Sequence, residues 1–124
     1  MTEPVPALKR STTRDTSILI YGANGYTAGL ILQLARDAGI NPIVAGRSRA
    51  KLAPLAESSG LPLRIFGLDD PEVVAQNLAG VAVVLNCAGP FSRTALKMAE
   101  GCMKAGVHYL DITGEIDVFE SLAQ

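Results

Sequence analysis

The sequence predicts an α/β domain in which helices cover both faces of a parallel sheet. Short apolar runs alternate with helical patterns five times, and the loops between them are short. The first run, SILIYG, is continuously apolar, as suits a strand buried on both faces. Gly22 and Gly25 stand between that run and the first helical pattern. A glycine inside a helix costs about 1 kcal/mol against alanine, so two at this junction imply a tight turn or a close approach.

Taken in order, residues 1–15 carry two prolines and several charges without hydrophobic period, and read as a flexible tail ahead of a domain over 16–124. The first strand ends at Gly22. From Gly25 to Asp37 apolar residues recur at helical spacing (Tyr26, Leu30, Ile31, Leu34), and Gly39 supplies a left-handed cap. NPIVAG is the second strand. Ser48 caps a helix running to about Ser58, with Gly60 beyond. LPLRIF is the third strand. Asp70 caps the next helix, with Pro71 at its first position, where the missing N–H costs nothing. VAVVLNCAG is the fourth strand. FSRTALKMAEGCMKAG is a helix capped near Ser92 and stopped by Gly106. VHYLDI is the fifth strand, and GEIDVFESLAQ begins another helix. The simplest doubly wound, Rossmann-type layout has strand order 3-2-1-4-5. The order 2-1-3-4-5 fits the same alternation, and periodicity alone does not choose.

Composition excludes several function classes. At 48% hydrophobic residues the chain is no disordered segment, and a net charge of −1 gives no pull toward nucleic acid or an anionic membrane. No apolar run approaches the roughly 20 residues that span a bilayer. The opening MTEPVPALKRSTTRD lacks the apolar core of a signal peptide. Cys87 and Cys102 have neither metal-ligand nor CxxC spacing, so no metal site is expected; they read as reduced, packed thiols of a cytoplasmic protein.

The spacing Gly22-Ala23-Asn24-Gly25-Tyr26-Thr27-Ala28 is G-x-x-G-x-x-A at a strand-to-helix turn. Gly22 permits the turn. Gly25 lets a pyrophosphate reach the backbone, and Ala28 lets the helix pack close to the sheet. The first N–H groups of the helix then face the phosphates. A glycine turn that only helps the helix to pack is the bland alternative. The end of the second strand selects the dinucleotide. An NAD site usually has Asp or Glu there for the ribose 2′-OH. This chain has Gly46-Arg47-Ser48-Arg49, a guanidinium and a hydroxyl suited to a 2′-phosphate. Cations at a helix N-terminus are disfavoured, and an anionic ligand relieves that conflict. NADP(H) is therefore expected over NAD(H).

The third and fourth strands complete the crevice. Asp69, or the backbone of Leu68, would lie beside the adenine, while Asp70 is better read as a cap. In NCAGPF, small residues line the path of ribose and nicotinamide, Asn86 holds a backbone group or a ribose hydroxyl, and Pro90 fixes the exit turn. Cys87 has no base partner and reads as a packed thiol rather than a nucleophile. His108 stands alone. Asp111 and Glu115 sit where a substrate would lie, or merely cap the following helix.

YGANGYTA, AGRS, LNCAGPF and HYLDITGE together resemble the N-terminal cofactor domain of saccharopine dehydrogenase-like oxidoreductases, a family that includes trans-acting enoyl reductases. The resemblance covers nearly all of Ser17 to Phe119. It implies cofactor contacts from Gly22, Asn24, Gly25, Tyr26, Thr27, Arg47 and Ser48, and from the loop Asn86, Cys87, Ala88, Gly89 and Pro90. Gly67 departs from the family, standing where relatives often carry an Asp. The resemblance also implies a second domain that binds the small-molecule substrate and often forms a homodimer. The chain is then the cofactor-holding part of a longer NADP-dependent oxidoreductase, inactive alone, with no catalytic residue assignable here. A non-catalytic NADP(H)-sensing module is the alternative. A short-chain dehydrogenase or epimerase needs Tyr-x-x-x-Lys; Tyr21, Tyr26 and Tyr109 are followed four residues on by Gly25, Leu30 and Thr113, so that reading falls behind.

Overall fold

The computed structural model describes residues 18–88 and 91–111. Strands β1 (Ile18–Tyr21), β2 (Ile43–Gly46), β3 (Leu63–Ile65), β4 (Val83–Asn86) and β5 (His108–Asp111) alternate with helices α1 (Tyr26–Asp37), α2 (Arg49–Ser59), α3 (Pro71–Gln76) and α4 (Phe91–Ala105). All strand pairs are parallel, in the order β3-β2-β1-β4-β5. The tail over residues 1–15, Glu115 and the expected helix beginning GEIDVFESLAQ lie outside the described residues.

The central strand explains the continuous apolar runs. Leu19 and Tyr21 of β1 enter one core with Ile43 and Ala45 of β2 and the buried residues of α3 and α4. Ile20 and Val44, between them, enter the other core with Ala28 and Leu32 of α1 and Leu52 and Ala56 of α2. Period-2 alternation thus sends successive side chains into two cores, and both must be apolar. Across β1, Tyr21 pairs with Ala45 on one side and Asn86 on the other, and Asn86 pairs in turn with Asp111. The carboxyl ends of four strands are therefore level. Strand order reverses at β1, and crevices at such a switch point are where sheets of this kind bind ligands.

Local chemistry sets the helix ends. Ser48 Oγ accepts from Lys51 N–H at 3.3 Å, and the Asp70 carboxylate accepts from Glu72 N–H at 2.9 Å behind Pro71. Gly39, Gly60 and Gly106 close α1, α2 and α4 in the left-handed conformation. Arg64 of β3 donates to the carbonyls of Asn77 and Ala79 at 2.7 and 2.9 Å, holding the end of α3 to the sheet. Two expectations need correction. Helix α4 starts at Phe91, so Ser92 lies inside its first turn rather than at its cap. Of the four apolar residues at helical spacing in α1, Ile31 alone packs against the core. Tyr26, Leu30 and Leu34 are 82%, 51% and 68% exposed, whereas Ala28 and Leu32 are buried. Two residues along a helix is a rotation of about 200°, so the larger side chains point away. The small Ala28 is what brings α1 close to the sheet, as the G-x-x-G-x-x-A spacing requires.

Gly22 has φ +79°, and a Cβ there would lie 2.7–2.8 Å from the N, Cα and Cβ atoms of Ala88. Gly25 differs. Its φ of −80° and ψ of 166° suit any residue, and an added Cβ would meet only the Gly22 carbonyl oxygen, at 3.6 Å. Gly22→Ala is expected to lose about 1–2 kcal/mol from the left-handed backbone and about 1–3 kcal/mol from overpacking, whereas Gly25→Ala loses only glycine's advantage over alanine at an N-cap, about 0.5–1 kcal/mol. Urea unfolding of both variants checks this, and equal midpoints contradict it.

The buried Tyr21 hydroxyl donates to the Phe66 carbonyl at 2.7 Å, and the two rings pack with centroids 5.1 Å apart. Burial is the main cause pushing the Tyr21 hydroxyl up to about 12, with Arg47 opposing and Asp69 adding to it. The folded state thus keeps a proton that the unfolded chain releases near pH 10, so stability falls as pH rises through that window. The stability difference between wild type and Tyr21→Phe should narrow from pH 10 to 12 in parallel unfolding curves. A constant difference contradicts this.

Candidate functional site

The carboxyl ends of β1, β2 and β4 enclose an open cleft of about 450 Å³. Its first wall is the turn after β1. Gly22 N–H and Ala23 N–H both donate to the Ala45 carbonyl, at 2.8 and 3.3 Å, and Gly25 N–H closes the turn on the Gly22 carbonyl at 3.2 Å. Gly25 then stands at the N-terminus of α1. No side chain caps that terminus and no acidic residue occupies its first turn, so its free N–H groups present partial positive charge.

The second wall is the start of α2. Arg47 and Lys51 both line the cleft beside Ser48, and the first turn of α2 has no acidic residue. Two cations at the positive end of a helix, without a carboxylate, make a wall suited to a compact anion. Leu68 and Asp69 follow β3 on the far side. Asp69 is held by Lys97 of α4 at 3.0 Å, an exposed pair that crosses the cleft's rim. Cys87 and Ala88, after β4, face the glycine turn, and Cys87 N–H donates to the Tyr21 carbonyl at 2.8 Å. Burial pushes the Cys87 thiol up to about 11, which favours the protonated thiol near neutral pH.

Of the residues expected at the site, the cleft brings together Gly22, Asn24, Gly25, Arg47, Ser48, Asp69, Cys87 and Ala88. Tyr26 and Thr27 begin α1 with exposed side chains and are not among the residues lining the cleft. Gly89 and Pro90 lie outside the described residues. Asn86 is fully buried one layer beneath. Its Oδ1 accepts from Ala88 N–H at 3.0 Å, so of the two roles expected for it the structure shows the backbone one. His108 is exposed at the start of β5, away from the cleft lining. Tyr21, Lys51, Thr94 and Lys97 line the cleft without having been singled out. Lys51 had a signal, since it lies three residues after the Ser48 cap and so in the first turn beside Arg47. Lys97 and Thr94 had none, because the sequence does not show which turn of α4 passes the cleft. Among the described residues, no group of histidine, cysteine and acidic side chains is arranged to hold a metal, and no helix is long and apolar enough to cross a membrane.

The residues fit a dinucleotide carrying an additional phosphate, and the comparisons with known proteins agree. A trans-acting enoyl reductase of Mycobacterium ulcerans is 35% identical over 115 residues, which cover 86% of this chain and 27% of that protein. The trans-acting enoyl reductase of Mycobacterium tuberculosis strain H37Rv is 31% identical over 83% of this chain and 26% of its own length. The chain thus spans about a quarter of the length of these curated relatives. Among solved structures, Citrobacter triphenylmethane reductase complexed with NADP(H) superposes with a TM-score of 0.62 at 28% identity, over 77% of this chain and 36% of that one. Saccharopine dehydrogenase (L-Glu forming) from Saccharomyces cerevisiae shares the fold, with a TM-score of 0.64 at 24% identity over 76% of this chain and 21% of that one. Residues 18–121 match the family described as the saccharopine dehydrogenase NADP binding domain, and the chain belongs to that family.

Proposed function

We propose that this domain holds NADP(H) in the cleft between the β1, β2 and β4 ends, for hydride transfer to or from a substrate bound by another part of a longer protein. The observation that carries the reading is Gly25. Its backbone angles and surroundings would accept a side chain, and as an N-cap Ser, Asp or Asn would satisfy the free N–H groups better than glycine, yet a bare Cα faces the cleft at the uncapped end of α1. A pyrophosphate against that backbone accounts for the missing side chain. Arg47, Ser48 and Lys51 take the 2′-phosphate, with Asp69 and Leu68 toward the adenine. The mycobacterial relatives favour an enoyl C=C bond as the hydride acceptor. The cofactor, when bound, would supply or accept the hydride; the chain's own residues would bind and orient it. The substrate must be oriented against the nicotinamide by groups outside the described residues. Binding without chemistry is distinguished by NADPH oxidation assays on the full-length protein with enoyl, carbonyl and imine substrates; turnover of none of them would favour the sensing module.

Arg47→Ala and Lys51→Ala should each weaken NADPH binding by about 1.5–3 kcal/mol, the scale of a hydrogen bond to a charged group, and leave NADH binding little changed. Calorimetric titration with both cofactors checks this, and equal losses for the two would remove the 2′-phosphate assignment.

Gly25→Val should abolish binding of both cofactors while leaving the circular dichroism spectrum and unfolding midpoint near wild type. Retained affinity would make the glycine turn a packing feature only.

A further inference from the structure

Beneath the cleft, four side chains from three elements form a hydrogen-bond network in which each bond has a defined donor. Asn86 of β4 is fully buried. Its Nδ2 donates to Thr94 Oγ1 of α4 and to the Tyr109 hydroxyl of β5, each at 3.2 Å. Thr94 Oγ1 in turn donates to the Ala88 carbonyl at 2.9 Å, and the Tyr109 hydroxyl donates to Asp111 Oδ2 at 2.7 Å. Asn86 Oδ1 accepts from Ala88 N–H. The directions are forced. Ala88 N–H can only donate, so the oxygen of the Asn86 amide must face it, and the amide nitrogen must face Thr94 and Tyr109. With both Asn86 protons directed at them, the two hydroxyls give their own protons onward, to a carbonyl and to a carboxylate.

Both backbone groups of Ala88 are therefore held, the N–H by Asn86 and the C=O by Thr94. Ala88 is also the residue against which Gly22 packs without room for a Cβ. A displaced Ala88 would either collide with the Gly22 turn or open a gap behind it. We propose that Thr94 and Tyr109 are positioning residues for cofactor binding: Thr94 by its own bond to the Ala88 carbonyl, and Tyr109 through Asn86, fix the Cys87–Ala88 backbone as the wall of the cleft that faces the pyrophosphate and nicotinamide half of the dinucleotide. Tyr109 does not line the cleft and acts on it only through Asn86. Arg47, Ser48 and Lys51 stand on the other wall and take no part in the network. The inference rests on the cleft being the dinucleotide site.

The arrangement has a distinctive signature, because the two halves of the cofactor depend on different walls. Tyr109→Phe and Thr94→Val each keep the side chain's shape and remove its hydroxyl. Each should weaken NADPH binding about tenfold, the order expected for a buried amide left short of a partner. Binding of adenosine 2′,5′-bisphosphate, which lacks the nicotinamide half, should stay within about twofold of wild type, since it relies on the Arg47 wall. Thr94→Ser, which keeps the hydroxyl, should restore NADPH affinity. Calorimetric titration of both ligands on the wild-type chain and the three variants reads all of this. Unchanged NADPH affinity in Tyr109→Phe and Thr94→Val overturns the positioning role, as does equal loss of both ligands, which would mark a general structural effect. A wild-type chain that binds neither ligand overturns the cofactor site itself and this inference with it.

Discussion

The whole cleft depends on a contact with no side chain on one side of it. Gly22 leaves β1 in a left-handed turn and lies so close to Ala88 that no Cβ fits between them. On its other side its N–H is bonded to the Ala45 carbonyl of β2. One residue thus ties the exits of three parallel strands together at the point where strand order reverses. Everything that faces the ligand is set from there. The turn aims the N-terminus of α1, the Ala45 bond fixes how β2 delivers Arg47, and the Ala88 contact sets the opposite wall.

Around that junction the charge distribution is one-sided. The uncapped start of α1 and the cations at the start of α2 present positive charge to the same cleft. Neither helix places an acid in its first turn, although an acid there would stabilise each by about 0.3–1 kcal/mol. Local stability is forgone twice at one place, as expected where a bound anion completes the electrostatics. Asp69, the carboxylate lining the cleft, is paired with Lys97 at the rim. The neutral groups are quiet: burial favours the protonated Cys87 thiol, and the Tyr21 hydroxyl is committed to Phe66. Among the described residues, the cleft is equipped to bind and orient a cofactor.

Much of this was legible in the sequence. Strand and helix alternation gave the elements, because a strand buried on both faces must be apolar throughout and cap residues have side-chain reasons to sit where they do. Gly22, Gly25, Arg47 and Ser48 were legible because they lie on loops next to strand ends, where spacing along the chain fixes place in space. The observed strand order was legible as the simplest doubly wound layout, though periodicity alone left 2-1-3-4-5 open, since both bury the same faces. Features that depend on distant elements meeting were not legible. Ala88 crowding Gly22 joins positions 66 residues apart, and the Asn86–Tyr109 bond joins positions 23 apart. The inner face of α1 was misjudged for a related reason: side-chain size marked Tyr26, Leu30 and Leu34, but closeness to the sheet selected the small Ala28.

The central claim is that one cleft, built on the Gly22 junction, receives NADP(H). Amide chemical-shift mapping during NADPH titration tests it most directly. The account predicts that the largest shifts fall on the N–H groups of Gly22 to Thr27, of Arg47 to Lys51 and of Ala88. It also predicts that NADH reproduces the first and third sets while leaving the second nearly still. Shifts centred elsewhere, such as the groove between α1 and α2 near Gln33 and Ser59, with the glycine turn unmoved, would contradict it.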